Sequence, residues 1–97
     1  MAQSRDTHPP FTAGVLVMTR SVQALAARGR LDPTQYLRRH LSGDWGDISQ
    51  NDRNANAQAI VDGDRLFSSY KVSDDLTLWI ITEADRSATT LLLPDDY

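Results

Sequence analysis

The sequence predicts a single α+β domain, ordered β-α-α-α-β-β-β, with helices packed on one face of a small, mostly antiparallel sheet. Three observations predict it. A short apolar run opens the ordered region, three capped helical segments follow, and three strand-like runs joined by tight turns fill the last third. At 97 residues the chain can build one modest core but not two. Residues 1–10, ending in Pro9-Pro10, read as a flexible N-terminal tail, and 11–97 as the domain.

Gly14-Val15-Leu16-Val17-Met18-Thr19 has no polar alternation, so it is expected to be a strand buried on both faces. Thr19 offers a hydroxyl cap to a helix over residues 20–28, with Val22, Leu25 and Ala26 inward and Gly29 as the stop. Asp32-Pro33 starts a second helix, with Gln35 placed for a capping box. Tyr36, Leu37, His40 and Leu41 form its i,i+4 pairs, and Gly43 ends it. Asp44-Trp45-Gly46-Asp47 is a connector. Ser49 with Asp52 opens a third helix that ends at Gly63, with Ala55, Ala59 and Ile60 as its inner stripe. Strands are expected over 65–72, 76–82 and 88–93, with Ser73-Asp74-Asp75 as the first turn and Pro94 as the terminator. In the middle strand Leu76, Leu78, Ile80 and Thr82 share one face, while Thr77, Trp79, Ile81 and Glu83 share the other.

The composition excludes several classes of function. There is no cysteine, hence no disulfide or thiolate metal site. The N-terminus has no apolar signal-peptide core, and no run is long enough to span a bilayer, which predicts a cytoplasmic protein with no membrane partner. His8 and His40 are isolated from other ligands, and Asp44-x-x-Asp47 lacks the ligand density of a calcium loop, so no metal is expected. No phosphate loop, dinucleotide fingerprint or G-x-S-x-G turn occurs, so no cofactor is expected. Residues 1–43 hold six arginines against two aspartates, a balance of +4. Residues 44–97 hold four bases against eleven acids, a balance of −7. Such a division favours steering or head-to-tail association.

The tip between the last two strands, Glu83-Ala84-Asp85-Arg86, contains the only glutamate of the chain. Its local chemistry is that of a turn in which Arg86 pairs with Glu83, an exposed contact of about 0–1 kcal/mol. An enzymatic reading is a ribonuclease or RelE-type toxin, with Glu83 as base and Arg86 or Arg65 facing the phosphorane. The acidity of the meander opposes that reading and direct nucleic-acid binding alike.

G-D-W-G-D (43–47), Asp52, Asn56, R-L-F-S-S-Y (65–70), W-I-I-T-E-A-D-R-S (79–87) and Tyr97 together resemble a small family of bacterial proteins of plasmids and integrative elements. Its members are often labelled plasmid-related or type I restriction endonuclease subunit M. The second label does not fit a chain with no room for a cofactor domain and target-recognition segments. Relatives carry a glycine in the first hairpin turn; Asp74-Asp75 stands there here, which leaves the turn type open. The resemblance brings no catalytic residues with it. It implies a mobile-element setting, where small acidic proteins often oppose host defence.

The leading expectation is therefore a non-enzymatic protein that binds a protein or nucleoprotein complex, such as a restriction or CRISPR effector. Its contact surface is expected to comprise Asp44, Trp45, Asp47, Arg65, Ser69, Tyr70, Trp79, Glu83, Asp85 and Arg86. The alternatives are the ribonuclease-like enzyme using Glu83, Arg86 and Arg65, and a homodimer joined at an exposed strand edge.

Overall fold

The structure, a computed structural model, describes residues 10–97, so most of the expected tail and His8 lie outside the described residues. The elements are β1 (Val15–Met18), α1 (Arg20–Ala27), α2 (Pro33–Leu41), α3 (Gln50–Asp62), β2 (Leu66–Ser73), β3 (Leu76–Thr82), β4 (Ala88–Leu92) and a 3-10 turn (Pro94–Asp96). This is the expected α+β order. One four-stranded sheet runs β1-β4-β3-β2, antiparallel except where β1 lies parallel to β4. The helical segment thus carries the chain from one edge of the sheet to the other, and the meander returns it.

Thr19 caps α1, its hydroxyl accepting from the Val22 amide at 3.3 Å, and Ser49 caps α3 through the Asp52 amide at 3.0 Å. The capping box expected at α2 does not form. The Asp32 side chain makes no cap bond, and Pro33 alone presets the first turn. Neither Asp74 nor Asp75 has a positive φ, so the β2–β3 turn is not of a primed type; an irregularity between Lys71 and Ser73 adjusts the ladder.

The inward positions of the strands meet the helices in two clusters. Val22 and Leu25 of α1, Leu31, and Tyr36 and Leu37 of α2 pack on Tyr70, Leu78, Ile80 and Leu91. Phe11, Trp45, Ala59 and Leu66, with Leu41 and Ile48, form the second cluster. One of the two tryptophans, Trp45, therefore joins the helical layer, as large aromatics in a small core should.

Two expectations about packing need correction. The α3 stripe of Ala55 and Ile60 faces solvent, and the buried residues of that helix are Asn56 and Ala59. Asn56 sits where a neighbouring strand would, donating to the Phe67 carbonyl at 2.7 Å and accepting from the Phe67 amide at 3.1 Å. The second correction concerns β1, which is an exposed edge strand with Val15 66% and Leu16 53% accessible. A continuous apolar run fits a buried parallel strand and a bare edge equally well, and only the sheet order separates them.

Candidate binding face

The far face of the sheet, opposite α1 and α2, carries Phe67 of β2 and Trp79 and Ile81 of β3. Trp79 is half-buried between two edge-on aromatic neighbours, with ring centroids 5.3 Å from Phe67 and 5.9 Å from Tyr97. Asp52 of α3 and Arg65 complete the walls of an open groove of about 320 Å³ with Phe67, Trp79, Ile81 and Tyr97. The Arg65 guanidinium reaches the Tyr97 hydroxyl at 3.4 Å; this bond, aided by the charge of Glu83, holds its pKa above the ordinary arginine value. An aromatic floor with one cation and carboxylates at its rim suits an amphipathic side chain or a charged peptide segment.

The predicted contact residues separate into two groups. Arg65 and Trp79 line the groove, and Glu83 acts electrostatically on Arg65. Trp45 and Tyr70, expected on the contact surface, are core residues whose side chains are out of reach of a partner. Trp45 stacks on Phe11 and meets the edge of His40, while Tyr70 is fully buried and donates its hydroxyl to the Asp44 carbonyl at 2.6 Å. That burial pushes the Tyr70 phenol up to about 12. Asp44, Asp47 and Ser69 build the connector. Asp44 pairs with Arg39 at 2.7 Å, and that bond holds its carboxyl below the usual range. Ser69 accepts from the Asp47 amide at 2.6 Å and donates its own amide to the Trp45 carbonyl at 3.1 Å. A side chain at Gly46, whose φ is 76°, would collide with the Ser69 carbonyl and the Tyr70 ring.

The tip is not the expected ion-paired turn. Arg86 makes no salt bridge to Glu83 among the described residues. It adopts φ 61° and aims its guanidinium at main-chain carbonyls: Asp64 at 2.6 Å, Ala59 at 3.0 Å, and Glu83 and Ala84 at 3.2 Å. A cation at the C-terminal end of α3 complements the helix dipole, here beside an Ala59 carbonyl that also accepts from the Gly63 and Asp64 amides. Asp85 is exposed and accepts from the Ser87 amide at 2.9 Å; the Ser87 hydroxyl first and this amide second hold its carboxyl below the ordinary value. Arg86→Gln should therefore lower stability by about 1–2 kcal/mol, because charge-assisted bonds to partly buried and exposed main-chain carbonyls are lost. Urea unfolding measures this, and an unchanged midpoint would return Arg86 to the role of a solvated turn residue.

Sequence reasoning missed a buried polar chain. His40 is fully buried on α2, with Ser68 Oγ 2.6 Å from its Nδ1 and Thr82 Oγ1 2.9 Å from its Nε2. Thr82 and Thr89 hydroxyls lie 2.7 Å apart, and Thr89 donates to the Ala13 carbonyl at 2.8 Å. Because Thr89 spends its proton on Ala13, Thr82 donates to Thr89, His40 Nε2–H donates to Thr82, and Ser68 donates to Nδ1. The imidazole is thus neutral, and burial pushes its pKa down to about 4. It packs edge-on against Phe11 and Trp45 rather than stacking on Tyr36. The Ser–His pair is sealed in the core, so it serves the fold. The available signal was a histidine on the inner stripe of α2 facing three hydroxyls at inward strand positions.

Among the described residues no cluster of His, Asp or Glu could hold a metal ion, and no helix is long and apolar enough to cross a membrane. No family model, curated protein or solved structure matches the chain.

Proposed function

We propose that this protein works by binding a macromolecular partner on the far face of its sheet, with no chemistry of its own. The observation that supports this most is the groove in which Phe67, Trp79 and Tyr97 form an edge-to-face array beside Arg65. Trp, Tyr and Arg around a half-desolvated depression are the residues that dominate binding energy at protein interfaces. The ribonuclease reading is weakened by the commitment of Arg86 to carbonyls of its own chain. The resemblance to mobile-element proteins and the net charge of −3 favour a protein or nucleoprotein partner with a basic groove, such as a host defence complex.

The test is capture from the bacterial host with tagged protein, followed by mass spectrometry and affinity measurement with the captured partner. Arg65→Ala removes the groove's guanidinium without adding a carboxylate that a basic partner would attract and leaves the core untouched, so melting should hold while affinity falls at least about tenfold, or 1.4 kcal/mol. Equal capture by parent and variant would move the contact elsewhere. Cleavage of labelled RNA that disappears in Glu83→Gln, with the fold intact, would replace binding by catalysis.

A further inference from the structure

The two edges of the sheet are treated in opposite ways. Along β2 the outward main-chain groups are occupied: those of Phe67 by the Asn56 amide, those of Ser69 by residues 45–47, and the Lys71 amide by the Asp47 carboxylate at 3.0 Å. Proteins close strand edges in this way to prevent unwanted pairing. At the other end of the sheet, β1 is four consecutive apolar residues, all exposed. The Val15 and Thr19 amides point inward, to Ser87 and Leu91 of the β4 side at 3.0 and 3.1 Å. Strand alternation therefore turns the main-chain groups of Leu16 and Met18 outward. Their side chains line a second groove of about 290 Å³ with Gln23, Thr34, Leu37 and Leu91.

We infer that β1 is the interface of a twofold homodimer, pairing antiparallel with β1 of a second copy about an axis through Val17. Two features select a second copy as the occupant. Leu16 facing Met18 of the other copy, and the reverse, pairs each Met18 amide with a Leu16 carbonyl and each Leu16 amide with a Met18 carbonyl that also accepts from the Gln23 side chain at 3.0 Å. The register is set by the backbone: Thr19 is extended at φ −66° and ψ 162° and can continue the ladder, whereas Gly14 at φ 66° cannot. Charge does not decide between occupants: Arg20 follows the C-terminal end of β1, but the Asp96 carboxylate accepts from Thr19 and Ser21 on either side of it at 2.8 and 2.9 Å. The two helical layers then flank one eight-stranded sheet, and the Leu16–Met18 grooves join across the axis.

The full chain should sediment at twice its 10.8 kDa mass at high concentration and dissociate on dilution. Val17 sits on the axis, so Val17→Lys and Val17→Glu each place like charges opposite one another and should weaken the dimer at least about tenfold without changing the melting of the dilute monomer. Mixing the two variants in equal amounts should restore dimers. The Leu16 and Met18 amides of the parent should gain hydrogen-exchange protection as concentration rises, a readout that requires no variant. A parent monomeric at all accessible concentrations would overturn the inference. So would variants that self-associate like the parent, or β1 amides protected independently of concentration, which would mean that residues 1–9 cover the edge instead.

Discussion

Acidification from neutrality to about pH 4 is expected to remove about 3 kcal/mol of folding stability through His40 alone. Burial lowers its folded pKa from the ordinary histidine value of 6.5 to about 4, and each pKa unit corresponds to about 1.36 kcal/mol. The folded state holds the imidazole neutral, so below pH 6.5 the unfolded chain binds the extra proton. Stability is therefore complete above that pH and is lost as pH falls towards 4. The carboxyls of Asp44, Asp85 and Asp96, held below 3.8 by their hydrogen bonds, cost stability only in more acid solution. Protonation would also oblige Nδ1 to donate to the Ser68 oxygen, whose hydroxyl would have to turn its proton away, while the bonds through Thr82 keep their direction. Urea midpoints between pH 7.5 and 4.5, in a His8→Gln background to remove the other histidine, measure the effect. A flat profile above pH 5 would mean that His40 is hydrated or flexible in solution.

Trp45→Ala should lower stability by about 3–5 kcal/mol, a large share of what a domain of this size possesses. The indole fills the space between Phe11, His40 and Leu66, and no neighbouring side chain can replace it without leaving the core. Trp79→Ala should cost less, because that ring is only half-buried on the open face. Urea unfolding of both variants gives the comparison. Equal losses would mean that the far face is as tightly packed as the helical side.

Local chemistry carried much of this fold. Alternation along 76–82 put Leu78, Ile80 and Thr82 on one face, which the structure turns inward, and the hydroxyl caps at Thr19 and Ser49 lie where the sequence puts them, because each depends on residues at most a few positions apart. Long-range placement was not legible. Arg86 finds the Ala59 carbonyl 27 positions upstream, so its four-residue neighbourhood suggested only a turn. Asn56 reads as a polar position on a helix until β2 is known to lie beside it. Of the groove, Arg65 and Trp79 stood out as a charged and an aromatic residue, but Arg65 lies just before β2 and alternation alone left the outward face of β3 open. Phe67 and Tyr97 were part of the family motifs but gave no sign that they would flank one indole.

The Thr82–Thr89 bond has a consequence for how β4 chooses its place. Leu91, Leu92 and Leu93 are consecutive, so apolar patterning at that end of the strand hardly distinguishes one face from the other. A slip of one residue against β3 would exchange leucine for leucine there at little cost in buried area. That slip also brings Thr90 opposite Thr82, threonine for threonine, so the hydroxyl pair survives it. A slip the other way sets Ala88 opposite Thr82 and strands that hydroxyl, with His40 behind it, in the core. The polar chain thus acts as a key against one direction of misalignment of β4 and leaves the other to the rest of the fold.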